Sequence, residues 1–386
     1  MTTNKHIHWI GAGLASGPGL VALSSDVGNV TVWDMTTDRA KMLQAQVPDS
    51  SSLAVETLDL GNIGSVGNFK SRLNPGDIIV SMLPAALHIT MAEIALELGT
   101  HLVTSSYVDE PMQALDAAAK AKGLAFVNEV GLDPGIDHLF AHVLVSAADD
   151  AGVLGKGNRV EFVSHCGGIP AEKTEFTYKF SWTPLGVLKA LTSPAQRIEN
   201  GAEKVANKVW EAVSEIDIAG ETFEVYPNRD SLPYIEEYGL EREENLETFV
   251  RGTLRQSGWK KAWADIFTQV ETGDGLKALS EQLLKDHSYG EDEKDRVVLY
   301  VALKVHNKNG DEVWSGSLAL DEVGSGWQTA MARTVSLTVA EAAKAILRGA
   351  FTPGVLAALT DAAEAKKWLT GLKAAGVTMR AETIDI

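Results

Sequence analysis

One cysteine, Cys166, stands in 386 residues, so no disulfide can close within the chain. No run of 18 apolar residues occurs, and no basic segment followed by an apolar stretch opens the sequence, so neither a membrane span nor a secretory leader is expected. Basic residues are scarce: 34 Lys and Arg against 52 Asp and Glu give a formal net charge of −18. Nucleic acid and anionic membranes need a basic footprint, so neither is expected as a partner. A small anion needs only a local group of arginines and stays admissible. No His, Cys and Asp spacing suggests a metal site, and the expectation is none. Internal repeats and low-complexity tracts are absent too. These absences fit a reducing cytoplasm.

What is present is the composition of an ordinary globular protein, 45% apolar and 22% charged, in a length that suits two or three domains. The first ~130 residues alternate short apolar runs with helical patterns, the mark of a parallel α/β sheet. Strands are expected at His6–Ile10, Asn29–Trp33, Ser52–Leu58, Asp77–Ser81, His101–Thr104 and Leu124–Val127. Amphipathic stretches such as Ala85–Leu98 and Pro111–Lys122 lie between them. The middle of the chain differs. Arg159–His165 and Val205–Ile218 hold strand-like patches, and Arg296–Val305 with Glu312–Leu320 reads as a hairpin turning through Asn307–Asp311. Residues 241–295 are charge-rich and read as mostly helical, and helical patterns return at Trp327–Leu347 and Val355–Ala375.

The expected fold class is therefore α/β: a Rossmann-type dinucleotide-binding domain over residues 1–130, plus a mixed α+β substrate domain over 131–327 with a small helical insert at about 241–295. The segment 328–386 is expected to pack back on the first domain.

Gly11-Ala12-Gly13-Leu14-Ala15-Ser16-Gly17-Pro18 follows the first strand directly. Gly11 permits a tight turn, Gly13 lets backbone approach a pyrophosphate, and the next helix start offers free N–H groups. The third glycine comes one place later than in Gly-x-Gly-x-x-Gly, so the strand before and the helix after carry the reading. Asp34 closes strand two, 21 residues past Gly13. A carboxylate there accepts from ribose hydroxyls and repels a 2′-phosphate, and Met35-Thr36-Thr37 brings no cation, although Arg39 follows. NAD is expected ahead of NADP. Thr36 or Thr37 is expected to cap the next helix.

Residues 128–139 read Asn-Glu-Val-Gly-Leu-Asp-Pro-Gly-Ile-Asp-His-Leu, with Glu129, Asp133, Asp137 and His138 where a parallel sheet presents its carboxyl edge. Pro134 and Gly135 can fix the angle of Asp133, and the same residues can open a helix.

With Ser81-Met82-Leu83-Pro84, Thr104-Ser105-Ser106-Tyr107 and Gly131-Leu132-Asp133-Pro134-Gly135 in order, the chain resembles the glutamate-forming saccharopine dehydrogenases. The likeness continues through Cys166-Gly167-Gly168-Ile169-Pro170-Ala171, Tyr178-Lys179-Phe180-Ser181-Trp182, Tyr226-Pro227-Asn228-Arg229-Asp230-Ser231, Arg251-Gly252-Thr253-Leu254-Arg255 and Met331-Ala332-Arg333-Thr334, roughly residues 8 to 337. Gln256 departs from it, standing where many members have tyrosine.

The resemblance implies oxidation of the secondary amine of saccharopine to glutamate and 2-aminoadipate 6-semialdehyde. It implies a substrate with several carboxylates, met by Ser106, Tyr107, Asp133, Asn228, Arg229, Thr253, Leu254 and Arg255. Arginine suits that task, because its planar fork bonds a carboxylate in pairs. Arg251 reads equally as a clamp or as a structural ion pair. The cofactor is expected on Gly11, Gly13, Leu14, Ala15, Asp34, Asp59, Leu83, Pro84, Thr104, Ser105 and Gly131. Asp133, Tyr107 and Lys179 are the catalytic candidates, Lys179 only if burial lowers its pKa. His138 and His165 are weaker ones, and Cys166 is expected to pack rather than attack. The site is expected where two domains meet, with Gly131, Pro134 and Gly135 as the hinge. A homodimer is left open. The competing readings are a dehydrogenase of carboxynorspermidine or carboxyspermidine and a non-catalytic NAD-binding sensor.

Overall fold

The computed structural model describes residues 5–180, 184–290 and 292–384; Ser181 and Trp182 of the Tyr-Lys-Phe-Ser-Trp segment lie outside the described residues. Two compact units emerge, one ending at Ile136 and regaining Ala332–Leu359, the other made of Asp137–Met331 and the chain from Thr360 on.

In the first unit the strands are β1 (Ile7–Ile10), β2 (Val30–Asp34), β3 (Leu53–Thr57), β4 (Ile78–Ser81), β5 (His101–Thr104) and β6 (Ala125–Asn128). All six stand within a residue or two of their expected places. They order as β6-β5-β4-β1-β2-β3, every pair parallel. The order reverses between β1 and β4, and in doubly wound sheets ligands bind at the carboxyl ends there. Buried runs such as Ile78-Ile79-Val80 suit a sheet covered on both faces. On one face Ile10, Trp33, Ile79 and Phe126 pack with Phe69 and Met91 from the helices Ile63–Ser71 and His88–Leu98.

A seventh parallel strand, Gly354–Ala357, joins the edge at β6, with Gly354 opposite Ala125. The expected helix from Val355 starts later, at Ala362, where the Asp361 carboxylate accepts the Glu364 N–H at 2.7 Å. Gly354 has φ +131°, which bars a helix at that point.

The second unit is a nine-stranded sheet with helices. Its strands are β7 (Arg159–Pro170), β8 (Ala195–Glu199), β9 (Ala202–Ala206), β10 (Ser214–Ile218), β11 (Glu221–Pro227), β12 (Asn245–Gln256), β13 (Asp295–His306), β14 (Glu312–Gly324) and, counting Gly354–Ala357 as β15, β16 (Met379–Glu382). They order as β10-β11-β12-β7-β13-β14-β16, with the β8–β9 hairpin attached to β12. The expected hairpin is β13–β14.

Two expectations change here. Residues 245–256 are a long strand, and helix is confined to Trp259–Ala262, Ala264–Thr272 and Leu276–His287. Arg251 and Arg255 sit at buried positions of β12, so their charge disguised the alternation of a strand. The C-terminal segment does not pack wholly on the first unit: β16 pairs with β14, Met379 opposite Leu320. Among the described residues no helix is long and apolar enough to cross a membrane.

Candidate active site

The glycine loop follows β1 at the switch point. Gly11 has φ +100°, and a Cβ there would lie 3.0 Å from the Met82 carbonyl oxygen, so glycine is needed twice over. A Cβ at Gly13 would meet nothing within 4 Å. Gly13 and Leu14 are exposed, Ala15 is half-buried, and the helix Gly17–Val27 begins just beyond. A cradle open above Gly13 and closed behind Gly11 fits a dinucleotide pyrophosphate at a helix start. The close-packing glycine of this helix was missed in sequence: a Cβ at Gly19 would fall 1.9 Å from the Ser336 carbonyl oxygen, and the Gly19 N–H donates to Ser336 Oγ at 2.7 Å. Its partner lies over 300 residues away, so no local pattern marks it.

Asp34 is committed within this loop. One carboxylate oxygen accepts the Ala12 N–H at 2.6 Å and the other the Thr36 N–H at 3.1 Å. Thr37, at the N-cap of the helix Asp38–Gln44, makes no side-chain cap bond. Arg39 lies within reach of the Asp34 charge; burial lowers its pKa and Asp34 draws it back. Asp59 likewise serves its own turn, accepting the Gly61 N–H at 2.9 Å. Leu83 and Pro84 follow β4, and the Met82 N–H donates to the Ile10 carbonyl at 2.8 Å, tying that loop to β1.

Next along the carboxyl edge stand Thr104, Ser105, Ser106 and Tyr107. The Glu129 N–H donates to the Ser106 carbonyl at 3.0 Å, and the Val108 N–H to the Glu129 carboxylate at 3.0 Å. Gly131 lies against Ser105, where a Cβ would come within 2.9 Å of the Ser105 Cβ. A Cβ at Gly135, φ +147°, would fall 2.1 Å from the Gly131 carbonyl oxygen. The 131–135 turn therefore closes on itself and presents Asp133, half-buried, to the Tyr107 hydroxyl, which donates to it at 3.1 Å. The structure thus joins two of the three catalytic candidates.

Lys179 belongs to the second unit, where its ammonium meets the Glu293 carboxylate at 2.5 Å. That pairing holds Glu293 below the usual carboxylate range and engages the Lys179 ammonium in an ion pair. The histidines fare no better. His138 is buried, its Nδ1 2.8 Å from the Tyr238 hydroxyl. Burial pushes His165 down to about 4, and its ring lies against Gly252, whose missing side chain makes room for it. Cys166 is buried and pairs in register with Thr253.

The two arginines of β12 part company. Arg251 binds Asp137 at 2.6 Å, both side chains nearly free of solvent, and its guanidinium lies 4.0 Å over the Tyr234 ring. It is a structural ion pair. Arg255, four residues on, is 6% exposed. It sits within 4.7 Å of the Tyr178 ring centre, 5.5 Å of Tyr226 and 5.7 Å of Trp259. Its Nη1 donates to the Leu254 carbonyl at 3.0 Å, and its Nε has no partner among the described residues. No carboxylate among the described residues comes within ion-pair distance of it. Burial pushes the Tyr226 phenol up, with the Arg255 charge pulling the other way.

Thr253 shares the Arg255 face of the strand, whereas the Leu254 side chain is buried on the other face with Phe223, Val225 and Val298, leaving only its backbone toward the site. Asn228 and Arg229 follow β11. The Asn228 N–H donates to the Arg251 carbonyl at 2.9 Å, and Arg229 is exposed with φ +55°.

A polar cleft of about 470 Å³, lined by His6, His8, Asn29 and Asp77, opens at the amino ends of β1, β2 and β4. It is at the wrong end of the strands to belong to this site. No group of three metal-binding side chains occurs among the described residues.

Residues 7–127 match the family model described as the saccharopine dehydrogenase NADP binding domain, and residues 131–377 the one described as the saccharopine dehydrogenase C-terminal domain. A saccharopine dehydrogenase [NADP(+), L-glutamate-forming] of Pyricularia oryzae is 30% identical over 92% of this chain and 94% of its own. The mitochondrial alpha-aminoadipic semialdehyde synthase of Mus musculus is 28% identical over 90% of this chain but 44% of its own. Among solved structures, apo saccharopine dehydrogenase (L-Glu forming) from Saccharomyces cerevisiae superposes with a TM-score of 0.80 at 25% identity, covering 99% of this chain and 100% of that one.

The expectation of NAD is corrected by these matches, since the nucleotide domain matches an NADP-binding model and the fungal relatives are named for NADP(+). The physical reason lies in Asp34. Its carboxylate is held by two backbone N–H groups of its own unit, so its presence does not by itself report on the ribose, and Arg39 stands beside it.

Proposed function

Because the chain belongs to the saccharopine dehydrogenase family, we propose that it oxidises saccharopine with NADP, releasing glutamate and 2-aminoadipate 6-semialdehyde. The observation that carries the reading is Arg255. A buried guanidinium walled by aromatic rings, with no carboxylate of the described residues within ion-pair distance, is costly unless a ligand brings the counter-charge. A substrate carboxylate supplies it, with Thr253 on the same face of the strand as a further polar contact.

The nicotinamide, when bound, accepts the hydride from the methylene carbon next to the secondary nitrogen. The protein's part is to orient and to move protons. The glycine loop and the start of the helix Gly17–Val27 hold the phosphates. Arg39 is the cation available to a 2′-phosphate. Asp133, held by Tyr107, takes the proton that leaves the substrate ammonium before oxidation. Loss of hydride from carbon of the neutral amine then gives a protonated imine. Water then adds to its carbon, and collapse returns the aldehyde and the amine of glutamate.

Steady-state reduction of NADP and of NAD, with saccharopine and with carboxynorspermidine as substrates, tests this. Turnover of saccharopine with NADP is expected to dominate. Preference for the carboxylated polyamine would replace the substrate, and binding of NADPH without any turnover would mark a sensor.

A further inference from the structure

His88 opens the helix His88–Leu98, and neither a sequence motif nor the chemistry above uses it. It is buried at the carboxyl edge of the first sheet and makes three contacts with hydroxyl groups. Its Nδ1 lies 2.8 Å from Ser81 Oγ. Its Nε2 lies 2.8 Å from Ser106 Oγ and 3.1 Å from Thr104 Oγ1. Ser81 ends β4 and Thr104 ends β5, neighbouring strands beside the switch point. Burial pushes the imidazole down to about 4, with Asp109 only partly opposing, so the ring is neutral near pH 7. A neutral imidazole offers one N–H and one lone pair, and hydroxyls can donate or accept. Either tautomer therefore satisfies both ends of the ring.

We infer that His88 is a positioning residue with two separable arms, one setting the cofactor loop through Ser81 and the other the substrate side through Ser106. The Nδ1 arm fixes Ser81, and the next residue, Met82, backs the glycine loop at Gly11. The Nε2 arm fixes Ser106, whose carbonyl takes the Glu129 N–H and whose neighbour Tyr107 holds Asp133. One ring thus sets the spacing of two loops that sequence places 25 residues apart, from Ser81 to Ser106. The inference rests on the proposed reaction for the identity of the substrate arm, but not for the cofactor arm.

Two amides separate the arms. Gln places a nitrogen or oxygen near the Nε2 position, and Asn near the Nδ1 position. His88→Asn is expected to raise the KM for saccharopine about fivefold to twentyfold, with NADPH affinity held within about twofold, as loss of one hydrogen-bonding arm implies. His88→Gln is expected to do the reverse, weakening NADPH in fluorescence titration and sparing the saccharopine KM. Equal losses in both parameters for both variants, or no change in either, would overturn the inference.

Should the His88 variants fail to fold, Ser81→Ala removes the first arm from its far end. It is expected to weaken NADPH while sparing the saccharopine KM, and uniform loss would again overturn the idea. The NADPH titrations need no substrate. If the unaltered protein does not turn over saccharopine, the proposed reaction fails while the titrations still judge the cofactor arm. Turnover without the crossed pattern sinks the positioning role alone.

Discussion

The cofactor half and the substrate half of this molecule handle polarity in opposite ways. Around the glycine loop, polar groups find partners in their own unit: Asp34 binds Ala12 and Thr36, Tyr107 binds Asp133, and His88 binds three hydroxyls. Around Arg255 the walls are Tyr178, Tyr226 and Trp259, and no carboxylate among the described residues comes within ion-pair distance of the charge in their midst. A binding surface built from backbone and hydroxyls can be complete before its ligand arrives. One built on a buried charge is completed by the ligand. The lesson is sharpest along β12, where Arg251 already holds Asp137 and Arg255 holds no acid among the described residues.

The largest effect is expected at Arg251. Arg251→Ala would leave Asp137 charged and buried, and should cost about 3–5 kcal/mol of stability, read by urea denaturation. A loss under about 1 kcal/mol would mean the pair is not what holds this part of the sheet. Arg255→Met, at the same depth, is expected to lower kcat/KM for saccharopine by about 2–5 kcal/mol, the usual range for stripping one partner from a desolvated charge pair. The same variant should unfold at the same urea concentration or a higher one, because no acid among the described residues forms an ion pair with Arg255. Lower stability with unchanged kinetics would make Arg255 structural and erase the contrast.

Acid should act on both halves together. Burial pushes His88 and His101 in the first unit and His142 and His165 in the second down to about 4. Unfolded histidine takes up its proton near 6.5. Below that pH the unfolded chain binds more protons than the folded one, so stability is complete above about pH 6.5 and falls as the pH drops toward 4. Urea midpoints measured from pH 7.5 to 4.5 should show the decline. A flat profile would mean these rings are not buried as neutral groups.

The smallest effect concerns Arg39. Arg39→Met should reduce the preference for NADP over NAD by about 1 kcal/mol, read as the ratio of kcat/KM values, since the site is half-exposed and one charge contact is lost. An unchanged ratio would assign the 2′-phosphate to other residues.

The sequence by itself determined the first sheet, because short apolar runs spaced by helical patterns and turn residues encode a parallel α/β unit locally. It also determined the turn at 131–135, since Pro134 and Gly135 carry their constraints in their own covalent structure. It put Asp133 and Tyr107 among the candidates by motif, and the Tyr107 hydroxyl donates to the Asp133 carboxylate at 3.1 Å. Tertiary structure alone decided the rest. Arg251 and Arg255 are the same residue type on one strand, and only their neighbours, Asp137 for one and three aromatic rings for the other, separate an ion-paired guanidinium from one walled by rings. Lys179 is engaged by Glu293, 114 residues away. Asp34 lost its value as a cofactor signal to a backbone N–H 22 residues earlier. Gly354–Ala357 became a strand because β6 offered it an edge. In each case the deciding partner is distant in sequence, and electrostatic and packing energies depend on what a side chain meets in space, which no local pattern records.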